Sequence, residues 1–208
     1  MMVYDKINGL DIKTIVEAGG NVGQDTRKLC NMFPDASVHT CEPIDFLFQG
    51  LQTLKRELPN LYLYQVALSD TTGTTEFFID LNSKGSMGAS SILEAHPDFK
   101  VYLDGEEKIK VPCIRLDDFL RQIGIKKLDL LWLDIEMMEY RVLKASEPML
   151  QNISYIYTEI SYSNFRIGQP TINDLEGLLY SYGFERVFIE PQGSQNFDWQ
   201  ANALYKKT

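Results

Sequence analysis

The sequence predicts an open α/β fold: a doubly wound, mostly parallel seven-stranded sheet closed by a C-terminal antiparallel hairpin. Three observations predict it. Short apolar runs alternate with amphipathic segments of helical period. The run Leu128 to Asp134 (LDLLWLD) is apolar at nearly every position, as in a central parallel strand covered on both faces. The last two runs have no helix between them, so they pair antiparallel. The 208 residues suit one domain, 1–208, with a lid-like insertion at about 80–107.

The elements follow in order. Lys13 to Ala18 is a β-branched run stopped by Gly19-Gly20, and Val22, Thr26, Leu29, Cys30 and Phe33 mark a helix that Pro34 ends. Ser37 to Cys41 is a second strand. Leu47, Leu51, Leu54 and Leu58 stripe a second helix, and Leu61 to Leu68 reads as one third strand. Thr71-Thr72-Gly73 is a turn, after which Thr75 to Ile79 can pair back as a hairpin. Asp80 to Glu107 shows little periodicity and carries Gly85, Gly88 and Gly105; aperiodic stretches of this length are commonly functional lids. Val111 to Ile114 is a short strand, and Asp117 to Leu120 opens a short helix. After the central strand, Met138, Val142, Ala145 and Met149 stripe a helix, and Ile153 to Ile160 is the next strand. Ile172, Leu175, Leu179 and Tyr182 mark the last helix, stopped by Gly183. Val187 to Glu190 and Ala201 to Lys206 close the sheet. Five helix-linked strands plus a hairpin are too few for an eight-fold barrel. On an open sheet, ligands bind at the carboxyl ends of the strands, here after Ala18, Cys41, Leu68, Asp134 and Glu159.

Charge narrows the function. With 20 basic and 29 acidic residues the net charge is −9. That excludes a nucleic-acid partner held by phosphate neutralisation, and a polybasic membrane-surface protein. No apolar stretch approaches the roughly 20 residues of a membrane span. Cys30, Cys41 and Cys113 lie far apart, as reduced thiols of a cytoplasmic protein do, and no secretory leader is legible.

The loop after the first strand reads Glu17-Ala18-Gly19-Gly20-Asn21-Val22-Gly23. It is neither a dinucleotide fingerprint nor a phosphate loop with its lysine. Gly19 and Gly23 permit close backbone approach, and Glu17 is expected to turn a carboxylate towards the crevice, where it suits an ammonium. The second strand ends in Glu42-Pro43, where an acid commonly takes the hydroxyls of an adenosine ribose. An adenosine with a cationic amino-acid end and no phosphate satisfies both acids; S-adenosyl-L-methionine is that ligand.

These segments, with Val66-Ala67-Leu68-Ser69-Asp70, Ser90-Ser91-Ile92, Leu116-Asp117-Asp118 and Leu133-Asp134-Ile135-Glu136 followed by Glu139, resemble the FkbM-type branch of the Rossmann-like S-adenosylmethionine-dependent methyltransferases. The resemblance runs from about Thr14 to Tyr182. It implies the class I methyltransferase fold, with Gly19, Gly20, Asn21 and Gly23 at the methionine end of the cofactor, Glu17 at its ammonium, Glu42 and Pro43 at the ribose, and Ala67 and Leu68 near the adenine. It also implies O-methylation of a hydroxyl on a sugar, glycan, lipid or secondary metabolite. The family's Lys-x-Asp-x-Glu-Gly-x-Glu here has Trp132 for the Lys and Met137-Met138 for Gly-Ala. That implies either a larger, more apolar acceptor or a member without catalysis.

Asp134, Glu136 and Glu139 follow the central strand and are the catalytic candidates, with His96 as a further general base. Asp134 also borders the cofactor site. A divalent cation on Asp134 and Glu136 is an added candidate. Ser90, Ser91, Met137 and Glu159 are expected at the acceptor; Tyr162 packs on the sheet face or lines the acceptor pocket, while Phe197 and Trp199 can cover that pocket or meet a second copy in a homo-oligomer. The substrate is expected to be a small molecule or a glycan. Two alternatives stay open: a non-catalytic binding protein of the same fold, and a nicotinamide-dependent oxidoreductase.

Overall fold

A computed structural model describes residues 2–81, 87–99, 106–191 and 199–208. Gly85, Gly105 and Phe197 lie outside the described residues. The strands are β1 Thr14–Ala18, β2 Ser37–Cys41, β3 Leu61–Tyr64, β4 Ala67–Ser69, β5 Gly73–Asp80, β6 Glu106–Arg115, β7 Leu128–Leu133, β8 Ile153–Ser161, β9 Phe184–Pro191 and β10 Gln200–Lys207. The helices are α1 Val3–Ile7, α2 Gln24–Met32, α3 Asp45–Lys55, α4 Leu116–Gln122, α5 Glu139–Ala145 and α6 Ile172–Ser181.

The main sheet has seven strands in the order β3-β2-β1-β7-β8-β10-β9. β1 pairs parallel with both β2 and β7, and β7 pairs parallel with β8. β10 runs antiparallel to β8 and to β9, so the closing hairpin is where the sequence puts it. The chain winds outward from β1 to β3 and returns to β7, so strand order reverses between β1 and β7. That switch point is where open sheets bind ligands.

Two cores cover the sheet because strand side chains alternate between its faces. Leu130, Trp132, Tyr157 and Ile15 pack on the α2–α3 side, while Val16, Ala18, Leu131, Leu133 and Ile156 pack on the other. Trp132 therefore belongs to the core. It is fully buried and stacks on Tyr157, ring centroids 3.7 Å apart. Tyr4 of α1, a short helix the apolar pattern did not reveal, stacks on the same indole at 5.5 Å.

The structure revises three sequence expectations. Leu61 to Leu68 is not one strand: Val66 N–H donates to Tyr64 C=O (3.0 Å), the chain bends, and Ala67–Ser69 joins a separate three-stranded sheet, β4-β6-β5. Thr75 to Ile79 does not fold back on the preceding strand. It lies within β5, which pairs antiparallel with a β6 longer than expected, from Gly73↔Cys113 to Asp80↔Glu106. The stripe through Met149 is not one helix either, because α5 ends at Ala145 and Pro148 sits at the start of a 3-10 turn, Glu147–Asn152. Between β5 and β6, residues 87–99 dock on β5 through Phe78↔Ser91 and on the loop after β8 through Ala95↔Arg166. No helix among the described residues is long and apolar enough to cross a membrane.

Candidate active site

A cleft of about 580 Å³ opens at the switch point. Gly19 and Asn21 form one wall, Asp134, Ile135 and Met138 another, and Glu42 and Pro43 a third. Its floor is apolar, made by Ile44, Leu47, Val66, Ala67, Leu68 and Phe77. Ser90, Met87 and Ile92, from the segment between β5 and β6, line its outer side.

The loop after β1 is shaped by its glycines. Gly19 has φ +89°, and a Cβ built there would lie 1.9 Å from the Asp134 carbonyl oxygen. Only glycine lets β1 and β7 approach this closely. Gly19 and Gly20 N–H groups both donate to Cys41 C=O, and Asp134 N–H donates to Ala18 C=O (3.1 Å), so the three strand ends lock together. Gly20 and Gly23 press against Leu51.

Glu42 is buried at the cleft wall. Its Oε2 accepts from Asn21 N–H and its Oε1 from Ile44 N–H, each at 2.8 Å. Each carboxylate oxygen has a further lone pair for a ligand hydroxyl. Asn21 stands at φ +47°, and its Oδ1 is buried with no hydrogen-bond donor near it. A buried acceptor in a cleft wall without a donor is the complement of a ligand N–H.

Glu17 does not face the crevice. Strand alternation puts it on the Ile15 face, 1% exposed, where its Oε2 accepts from Thr26 (2.7 Å) and Thr40 (2.6 Å). It ties β1 to α2 and β2 beneath the glycine loop, so the expected contact with a ligand ammonium is corrected to a supporting role.

The acids after β7 separate into distinct groups. Glu139, at the first turn of α5, accepts from Ile135 N–H (3.1 Å) and from further backbone N–H groups of this turn, including that of Met137. Its carboxylate holds the loop in which Glu136 (φ +52°) and Met137 (φ +73°) are both left-handed. Such backbone costs a non-glycine residue about 1–2 kcal/mol. Met137 is the position where the family pattern has glycine, so the strain has a legible origin. Asp134, Glu136 and Glu159 bring carboxylate oxygens within 4.8 Å of one another, so two of the catalytic candidates are joined by one of the residues expected at the acceptor. That spacing lets the three share one cation, but Arg166 already brings positive charge, Nη2 lying 3.8 Å from Glu136 Oε2. Desolvation in the crowded site raises both carboxyls above their ordinary range, with the charge of Asp25 adding to the effect at Asp134 and that of Asp134 adding to it at Glu136.

Arg166 is the residue that sequence reading missed. It is 3% exposed, and its guanidinium donates to the backbone carbonyls of Leu93 and Ala89. Nothing local marks it, since its carbonyl partners lie more than 70 positions away and Glu136 lies on another loop. Ser91 Oγ donates to Glu136 C=O (2.7 Å) and accepts from Leu93 N–H, so it ties the 87–99 segment to the acid loop. Ser90 lines the cleft while its Oγ accepts from Asp80 N–H. Met137 lies outside the main cleft, in a narrow crevice with Glu139 and Glu159. His96 is likewise absent from the cleft; its Nδ1 faces Asp98 at 3.5 Å in a surface groove with Asn164 and Ile167. Its expected place among the catalytic bases is corrected. Trp132, buried in the core, cannot crowd an acceptor.

Burial raises the carboxyls of Glu17 to about 8, Glu42 to about 7 and Glu139 to about 8, from an ordinary 4.5. The folded chain therefore holds protons that the unfolded chain has released between these values. This contribution to stability is fully present below about pH 4.5 and is lost as pH rises through about 7–8. The melting temperature of the ligand-free protein, followed by circular dichroism, is expected to fall from about pH 5.5 to about pH 8.5. Glu17→Gln keeps an acceptor for both threonines, so it should flatten the fall and raise the melting temperature at the alkaline end by about 2–4 °C per kcal/mol recovered. A rise with pH in the parent protein would contradict these assignments.

The described geometry has counterparts among known proteins. The chain is 29% identical over 186 residues to the 2-O-methyltransferase NoeI of Sinorhizobium fredii, covering 86% of this chain and 75% of that protein. It is 28% identical over 155 residues to Methyltransferase 1 of Beauveria bassiana, covering 68% of this chain and 61% of that one. In three dimensions it superposes on the magnesium protoporphyrin IX methyltransferase of Synechocystis PCC 6803 with bound SAM, at TM-score 0.53 and 12% identity, covering 99% of this chain and 74% of that one. Fibrillarin of Aeropyrum pernix, with natively bound S-adenosyl-L-methionine, superposes at TM-score 0.55 and 9% identity, covering 98% and 73%. At such identities these structures share the fold with this chain. The sequence model of the methyltransferase FkbM domain matches residues 17–186, from the acid of the glycine loop to the start of the last hairpin, which removes the oxidoreductase alternative: the chain belongs to the FkbM methyltransferase family.

Proposed function

We propose that the chain, acting as one domain in the cytoplasm, transfers a methyl group from S-adenosyl-L-methionine to a hydroxyl oxygen of a small molecule or glycan. The observation that carries this reading is the cleft wall: a buried acid with spare lone pairs, Glu42, beside a buried donorless acceptor, Asn21 Oδ1, above an apolar floor. Glu42 would take the ribose hydroxyls, Asn21 an ammonium N–H, and the Val66–Leu68 floor the adenine. Bound there, the cofactor supplies an electrophilic methyl on a sulfonium. The rest falls to this chain's own residues. Asp134 stands where the cleft meets the acid loop, and Glu136 and Glu159 lie beyond it. This group would orient the acceptor hydroxyl and receive its proton as the oxygen takes the methyl. Positioning with one base is enough chemistry for such a transfer. Glu139 and Ser91 hold the loop and need not touch the acceptor. The name of the NoeI relative supports the choice of an oxygen acceptor.

The test is transfer of isotope-labelled methyl from the cofactor to a panel of sugars, glycans, lipids and phenols. Glu136→Gln is expected to lower turnover by about 10²–10⁴-fold. Cofactor affinity should hold, because Glu136 does not line the cleft. Full turnover in this variant would remove Glu136 from the chemistry. Cofactor binding with no transfer to any acceptor would favour the non-catalytic reading.

A further inference from the structure

We propose that Arg166 is a positioning residue for methyl transfer, fixing the outer wall of the cofactor cleft and the acid loop against each other; this rests on the O-methyl transfer proposed above. Its guanidinium sits between the two. Nη1 donates to Leu93 C=O (3.3 Å), Nη2 donates to Ala89 C=O, and Nη2 lies 3.8 Å from Glu136 Oε2. The residues bracketed by those two carbonyls complete the link. Ser90 and Ile92 line the cleft, and Ser91 Oγ donates to Glu136 C=O (2.7 Å). Glu136 is therefore held twice from one stretch of wall. Ser91 holds its backbone, and the guanidinium that anchors the residues on either side of that stretch holds its carboxylate.

Both partners of this link are fixed by their surroundings. Glu136 stands at φ +52°, a left-handed backbone that a residue with a side chain keeps only when its neighbours determine it. Arg166 lies on a loop set by Gln169, whose Oε1 accepts from the N–H groups of Phe165 (2.7 Å) and Arg166 (2.8 Å) and whose Nε2 donates to Ser163 C=O (2.7 Å). The same loop grips the wall segment beyond Leu93. Arg166 bridges Ala95 along the backbone, and Ile167 N–H donates to Glu94 C=O (2.8 Å).

The charge ties this anchor to the chemistry. The Arg166 side chain is 2% exposed. Two backbone carbonyls can be satisfied by a neutral amide, which takes no charge out of water. A buried guanidinium needs a partner of opposite sign, and Glu136 supplies it, its carboxylate lying within 4.8 Å of those of Asp134 and Glu159. The planar fork serves both carbonyls and the carboxylate at once, a geometry that the compact ammonium of lysine does not reproduce. The wall that borders the cofactor and the acid that meets the acceptor are thereby kept in register.

Kinetics separate this role from a purely structural one. The parent, Arg166→Lys, Arg166→Gln, Glu136→Gln and the double variant of Arg166→Lys with Glu136→Gln are compared in labelled-methyl assays on an acceptor found in the panel. Arg166→Lys is expected to lower kcat about tenfold and Arg166→Gln further, with the acceptor KM within about twofold of the parent. In the Glu136→Gln background, Arg166→Lys should cost less than about twofold in kcat, because residues that act through one another are not additive. Ser91→Ala removes one hydroxyl from the same wall and should lower kcat about threefold, again without further loss beside Glu136→Gln. That variant carries the test if both Arg166 variants fail to fold. Losses that multiply in the double variants, or an Arg166→Lys protein with the parent's kcat, would refute the positioning role and leave the reaction standing. Transfer to no acceptor by the parent would refute the reaction and the role together.

Discussion

Gly19→Ala is expected to lower the melting temperature by roughly 5–15 °C and to abolish cofactor binding. The added Cβ would lie 1.9 Å from the Asp134 carbonyl oxygen, a backbone atom that no rotamer change can move aside. The residue also stands at φ +89°, which adds about 1–2 kcal/mol for alanine. Overpacking of a tight contact typically costs a further 1–3 kcal/mol. Relief requires β1 and β7 to part at the switch point, and their separation displaces both Asn21 and Asp134, which line the cleft. Gly50→Ala is the control, because an added Cβ there meets nothing within 4 Å. Thermal melting of both variants checks the pair. A Gly19→Ala protein as stable as the parent would mean that the two strand ends are not packed as described.

Glu42→Ala is expected to weaken binding of S-adenosylhomocysteine about ten- to a hundredfold. A hydrogen bond to a charged group is worth about 1.5–3 kcal/mol, and every 1.4 kcal/mol is tenfold. Stability should respond in the other direction or little. The carboxylate is buried and pushed up to about 7, so removing it relieves a desolvation cost near neutral pH while freeing the Asn21 and Ile44 N–H groups it accepts. Glu42→Gln separates charge from shape, since it retains acceptor capacity for one of those N–H groups and should bind more weakly than the parent but better than the alanine variant. Calorimetric titration reads all three. Unchanged affinity in the alanine variant would remove Glu42 from the ribose.

Much of the fold was legible because it rests on local pattern. The apolar run Leu128 to Asp134 could only be a strand covered on both faces, and the glycines after Ala18 could only be a strand-to-helix turn. The same alternation also held information that the sequence reading did not use. Glu17 shares the parity of Ile15 and Trp132 shares that of Leu130, so both side chains belong to the α2–α3 face rather than to the cleft. What local pattern could not reveal were the long-range pairings. Val66 to Leu68 stays apolar after leaving the main sheet, so the bend at Tyr64 leaves no mark in composition. Arg166 reads as an ordinary loop cation until the fold brings Ala89, Leu93 and Glu136 around it. The catalytic candidates divided for a similar reason. Asp134 and Glu136 are held together by the turn that follows β7, Glu139 is occupied by that turn's own N–H groups, and Glu159 arrives from the neighbouring strand.

The central claim is that the cleft between Gly19, Glu42 and Asp134 is an adenosylmethionine site. The most direct measurement is the thermal shift of the parent protein with S-adenosylmethionine, S-adenosylhomocysteine and NAD. At a hundredfold excess over Kd, a ligand of the folded state adds about 2.7 kcal/mol. For a chain of this size that raises the melting temperature by about 5–10 °C. Both adenosyl ligands are expected to give that shift and NAD none. No shift with either adenosyl ligand, or an equal shift with NAD, would contradict the account.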